Sequence, residues 1–141
     1  MPNDKILDNI YLDMAERWST LSKANRMKVG CLIVKNGQII SDGYNGTPSG
    51  FDNNCEDENG YTKEEVLHAE SNALMKLACS TQSSEGATCY ISISPCFNCA
   101  KLLIQAKIKR VVFRNMYRNT DGLELLRRAN IIISYENKEL N

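Results

Sequence analysis

Ile6, Leu7, Ile10, Tyr11, Met14, Ala15, Trp18 and Leu21 recur at steps of three and four, which predicts an amphipathic helix over residues 4–21 with one apolar stripe toward a core. Its polar face carries acidic as well as basic groups and is not rich in lysine or arginine, which argues against a helix lying on a membrane surface. A short polar connection, residues 22–28, carries Lys23, Asn25, Arg26 and Lys28. Two β-prone runs, 29–34 and 38–41, then flank Lys35-Asn36-Gly37, and Asn-Gly between such runs predicts a hairpin. Residues 43–50, Gly-Tyr-Asn-Gly-Thr-Pro-Ser-Gly, are turn-rich and lead into a polar loop reaching Gly60. A loop of roughly fifteen residues is long for a compact domain, and such loops often bind or cover ligands.

Thr62 and Glu65 have the spacing of a capping box, which predicts a helix running to about Cys79 with Val66, Ala69, Ala73, Leu74 and Leu77 turned inward. On one continuous helix, however, His68 and Glu70 lie ~200° apart and cannot face one site. A break just before His68, placing both at a helix N-terminus, removes that conflict. Further on, residues 88–93 read as a strand ending at Ser94-Pro95, 96–106 as a helix, 108–113 as a strand, 121–129 as a helix and 131–134 as a last short strand. The tail from Glu136 reads as frayed. Strands alternating with helices around one buried sheet imply an α/β sandwich.

The 141 residues fit a single domain, 1–141. Lysine plus arginine and aspartate plus glutamate number 17 each, so broad capture of nucleic acid, which normally shows as a basic excess, gains no support. No apolar run approaches the ~20 residues of a membrane span. Met1-Pro2-Asn3-Asp4-Lys5 lacks the apolar core of a signal peptide, so the expected setting is cytoplasmic and reducing. In that setting six cysteines point to metal binding or burial before disulfides. Cys31, Cys79 and Cys89 read as small core residues, while Cys55, in the polar loop, stays ambiguous. A second zinc there would need partners, and the chain has one histidine.

That histidine opens His68-Ala69-Glu70, and the sequence later reads Pro95-Cys96-Phe97-Asn98-Cys99. Singly, these are a buried histidine and a C-x-x-C that could be a redox pair or half a zinc ribbon. Jointly, one imidazole and two thiolates are three ligands for Zn2+, leaving the fourth tetrahedral position free, as catalytic sites do. Cys96 and Cys99 fall one helical turn apart at a helix N-terminus, which favours the thiolate form. The half-sites are 28 positions apart (96 − 68), room for one helix and one strand. Glu70 then serves as proton acceptor and donor, which suits hydrolytic deamination of an amino-heterocycle. Its bland alternative is a solvated glutamate favoured by the helix dipole.

His-x-Glu with Pro-Cys-x-x-Cys is the signature of the zinc nucleobase deaminases. Residues 68–74 and 94–101 resemble the two motifs of the cytidine deaminase superfamily. Residues 43–50 resemble the G-Y-N-G-x-P-x-G loop of its deoxycytidylate branch, with Arg26 and Val29-Gly30 also fitting. The resemblance implies a three-layer α/β/α sandwich with a mixed five-stranded sheet, one catalytic Zn2+, conversion of dCMP to dUMP, and a homo-oligomer, often a hexamer. It implies Asn45 at the sugar, Arg26 at the 5′-phosphate, Tyr117 lining the nucleotide pocket, and Ala69 and Ser94 among the substrate contacts. Lys28 and Arg118 stand as alternative phosphate partners. It further implies regulation by dCTP and dTTP, with Mg2+ accompanying the effector, through a second site involving Lys28, Gly43 and Gly46. The rivals are a tRNA-adenosine deaminase, a free nucleoside or base deaminase, and a non-catalytic zinc module.

Overall fold

Asn36 and Gly37 both adopt positive φ (52° and 75°), the tight-turn geometry that joins β1 (Gly30–Lys35) to β2 (Gln38–Tyr44) as an antiparallel hairpin. The computed structural model describes residues 4–141, so Met1 to Asn3, part of the leader reading above, lie outside the described residues. The sheet has the order β2-β1-β3-β4-β5-β6, where β3 is Thr88–Ile93, β4 Arg110–Asn115, β5 Ile132–Tyr135 and β6 Lys138–Glu139. β1 runs antiparallel to β3, whereas β3, β4 and β5 are mutually parallel. The parallel pairs are linked through α3 (Phe97–Gln105) and α4 (Asp121–Arg128). The sixth strand corrects the five expected. The tail does not fray at Glu136 but turns there at φ 56°, and Lys138 and Glu139 pair with Tyr135 and Ser134.

Side-chain alternation along the strands separates two cores. Cys31, Ile33, Cys89, Ile91, Val111 and Phe113 face α2 (Ala69–Ala78), α3 and α4. Leu32, Val34, Tyr90 and Val112 face α1 (Asp4–Ser19), which contributes Leu12 and Ala15. This is the three-layer α/β/α sandwich.

The orientation of α1 departs from its periodicity. Ile6, Ile10, Met14 and the following Leu21 are exposed, while Asp8 and Leu12 are buried. The helix turns Asp8 inward because Arg110 on β4 pairs with its carboxylate and the Tyr90 hydroxyl donates to it at 2.7 Å. Cys31 and Cys89 are core residues as expected, but Cys79 is exposed, since it caps the C-terminus of α2 after the buried face ends at Leu77. Among the described residues no helix is long and apolar enough to cross a membrane.

Candidate functional site

The capping-box helix from Thr62 does not form. Thr62 pairs with Glu56 in an isolated bridge, and α2 starts at Ala69 with His68 as its N-cap in extended conformation (φ −78°, ψ 161°). The break therefore falls where His68 and Glu70 require it, and both side chains line one cleft. Cys96 is likewise the N-cap of α3, its sulfur accepting the Cys99 N–H at 3.5 Å. Two glycines seat these helix starts. At Gly43 on β2 a Cβ would lie 2.4 Å from the Ala69 carbonyl oxygen, and at Gly122 on α4 one would lie 2.3 Å from that of Pro95.

The result is a cluster at the C-terminal ends of β3 and β4. His68 Nδ1 stands 3.4 Å from Cys96 Sγ and 3.3 Å from Cys99 Sγ, and the three donor atoms lie within 4.8 Å of one another. One nitrogen and two sulfurs at that spacing fit a tetrahedral, borderline-soft ion with one position open. The Cys96 thiol is lowered to about 3, as Cys99 donates to it, with His68 and the Cys99 N–H adding to the effect. Cys99 is held high as the donor of that pair. The hydrogen bond with Cys96 raises His68. Among the described residues this is the one cluster of three such donors, and Cys55, buried on its loop, is not part of it.

Glu70 is 3% exposed, and burial raises its carboxyl to about 7, with the His68 charge pulling partly the other way. A carboxyl so poised can exchange a proton near neutral pH.

The cleft beside it has a volume of about 440 Å³. Of the residues expected at a substrate, Arg26, Asn45, Ala69, Ser94 and Tyr117 all line it, as does Arg118. Ser94 is buried, and its Oγ accepts the Tyr117 N–H at 2.7 Å, joining the ends of β3 and β4. Asn45 is already engaged with the backbone: Oδ1 accepts from Val29 N–H at 2.9 Å and Nδ2 donates to the Met27 carbonyl at 2.8 Å. Lys28 is exposed and does not line the cleft, although its neighbours Met27 and Val29 do. Gly43 sits buried in β2 beneath α2, not in a surface loop. Gly46 exchanges two backbone hydrogen bonds with Leu67, closing the base of the 47–66 loop.

Sequence reasoning missed several lining residues, among them Val66, Ile93, Met116 and Glu56. Val66 looked like a helix residue because of the capping-box pattern, and Glu56 looked like one acid of an exposed loop.

Residues 5–115 match the family model described as the cytidine and deoxycytidylate deaminase zinc-binding region. The chain belongs to that family. Among its deaminase relatives, the deoxycytidylate deaminase of Enterobacteria phage T4 is 33% identical over 174 aligned positions, covering 92% of this chain and 90% of the phage protein. That of Mycobacterium phage D29 is 32% identical, covering 75% and 92%. The structure of dCMP deaminase from cyanophage S-TIM5, in complex with dCMP and dUMP, superposes with a TM-score of 0.91 at 44% identity over 96% of this chain and 98% of that one. A tRNA:A34 deaminase shares the fold at 19% identity and a TM-score of 0.55.

Proposed function

We propose that this deaminase hydrolyses dCMP to dUMP and ammonia, supplying dUMP for thymidylate synthesis. The observation carrying the reading is the His68–Cys96–Cys99 cluster with buried Glu70 beside it, opening on a cleft that two arginines also line. The likeness to phage enzymes that act on or hold dCMP supports the choice of substrate.

His68, Cys96 and Cys99 would hold Zn2+, which would supply the Lewis acidity that makes a water nucleophilic near neutral pH. Glu70 takes the proton of the water attacking C4 of the cytosine ring. It gives that proton to the ring nitrogen, then takes the proton of the new C4 hydroxyl and gives it to the leaving amine, so that dCMP and water become dUMP and ammonia. Burial raises the Glu70 carboxyl in the metal-free site, which favours its taking up a proton. The Arg26 guanidinium holds the 5′-phosphate, for which its planar fork is suited, with Arg118 as the second cation of the cleft. Asn45 contacts the sugar, Tyr117 closes the nucleotide side, and Ala69 and Ser94 meet the base.

The same reading includes a reducing cytoplasmic setting, consistent with six free thiols. It also includes a homo-oligomer, a hexamer by family resemblance, and control by dCTP with Mg2+ and by dTTP. Of the residues named for that control, Lys28 and Gly46 are on the surface side, whereas Gly43 packs under α2.

The test is ammonia release from dCMP, deoxycytidine and CMP by zinc-loaded protein, with and without dCTP and Mg2+. Turnover confined to dCMP is expected, with dCTP stimulating it. Equal turnover of deoxycytidine overturns the phosphate assignment. Inactivity on all three points to a different substrate, such as an RNA adenosine.

A further inference from the structure

Glu56 stands apart from the loop that carries it. Residues 51–54 and 57–61 are exposed, yet Glu56 is 5% exposed and lines the cleft. A buried carboxylate is costly unless its oxygens are hydrogen-bonded. Here Oε1 accepts the Asn25 N–H at 3.2 Å, and Oε2 accepts the Asn25 and Arg26 N–H groups at 3.1 and 3.3 Å. Two successive amides turned toward one anion form a nest, a backbone arrangement suited to phosphates and carboxylates.

We propose that Glu56 is a positioning residue for the substrate phosphate: by filling the Asn25–Arg26 nest it fixes the turn so that the Arg26 guanidinium meets the 5′-phosphate. This rests on the reading of Arg26 as the phosphate residue. The nest amides are already satisfied by Glu56, so the phosphate is left to the side chain and not to the loop backbone.

The far end of the turn has its own fastening. Asn45 holds Met27 and Val29, and the Ser22 hydroxyl bonds both the Asn45 carbonyl and the Ala24 N–H. Of these side chains, Glu56 is the one that grips the turn at Arg26 itself. It is in turn anchored, because its own residue bridges Thr62 and the Cys55 carbonyl accepts the Lys63 N–H at 2.8 Å. The loop after Gly46 therefore grips the Asn25–Arg26 turn through one carboxylate.

Glu56→Gln keeps the size but turns an amide N–H₂ toward N–H donors. In zinc-loaded full-length protein this variant is expected to raise KM for dCMP about tenfold, with kcat changed less than about twofold, since the lost contact orients a binding group and no reacting atom. Arg26→Ala is expected to raise KM at least as much. Glu56→Gln added to Arg26→Ala should raise it no further, because residues acting through one another are non-additive. A KM unchanged by Glu56→Gln but raised by Arg26→Ala overturns the proposal and leaves the phosphate reading standing. An equal further rise in the Arg26→Ala background also overturns it, as the mark of a general structural role. If Arg26→Ala leaves KM unchanged, the phosphate reading falls and this proposal with it. Should Glu56→Gln lose zinc or fold poorly, Glu56→Asp carries the same test: it retains the anion one methylene short, with a smaller rise in KM and the same non-additivity.

Discussion

Gly122 lies directly against the backbone of Cys96: a Cβ at residue 122 would sit 2.8 Å from both the carbonyl carbon and the carbonyl oxygen of that cysteine. The first turn of α4 thus packs where α3 begins, and α3 begins at a candidate metal ligand. No side chain at 122 could move aside, since the clash is with backbone.

Gly122→Ala is therefore expected to shift the start of α3, lowering both the melting temperature and the zinc retained after gel filtration. Gly46→Ala is the control, since nothing lies within 4 Å of its added Cβ. Full zinc occupancy in Gly122→Ala would show that the loop absorbs the displacement.

Glu70→Gln should keep zinc and lose turnover by about 10²- to 10⁴-fold, the range for a general acid–base group. Cys96→Ala should lose metal and activity together, because it leaves two protein donors where three stand within 4.8 Å. Metal content by atomic absorption alongside the rate separates the two outcomes. A near-normal rate in Glu70→Gln removes that carboxyl from the chemistry.

Burying Glu70 has a cost that the metal-free protein should reveal. Its carboxyl releases its proton near 4.5 in an unfolded chain and near 7 in the folded one. The folded state thus holds the proton more tightly, and the contribution of Glu70 to stability is full below about pH 4.5 and is lost as pH rises through 7. Glutamine does not titrate. In chelator-treated proteins, urea unfolding should show Glu70→Gln gaining on the native chain by up to about 3 kcal/mol between those pH values and holding the gain above them. A difference independent of pH would mean that the carboxyl is not held up.

The order of elements and the convergence of His68, Glu70, Cys96 and Cys99 were legible because each rests on short-range rules. Asn36-Gly37 permits the tight turn, and the requirement that residues 68 and 70 share a face locates the helix start. Thr62 misled for the same local reason: its capping-box spacing is real, but pairing with Glu56 across the loop prevails over it. Glu56 and Asp8 were illegible because their partners lie 30 and 102 positions away, respectively. In sequence, each looks like an acid bound for solvent. The short β6 was hidden likewise, since two exposed residues carry no periodicity and only the neighbouring β5 gives them partners.

Asp8 offers a test of how much such a hidden contact matters away from the cleft. Its side chain is 4% exposed, paired with Arg110 at the N-terminal end of β4, and it accepts from the Tyr90 hydroxyl, which is pushed up by burial and by that hydrogen bond. Asp8→Ala takes the carboxylate acceptor from the phenol and from the guanidinium, which keeps the Ser134 hydroxyl at 3.3 Å. Removing one partner of a buried pair typically costs 3–5 kcal/mol; the partial exposure of Arg110 lets water recover some of this, so a loss of roughly 2–3 kcal/mol is expected in urea unfolding. The dCMP-directed kcat of the folded, zinc-loaded variant should stay within about twofold, because the pair sits at the opposite end of the strands from Ser94 and Tyr117. A fall in kcat with stability intact would instead mean that α1 and β4 transmit strain along the sheet to the cleft.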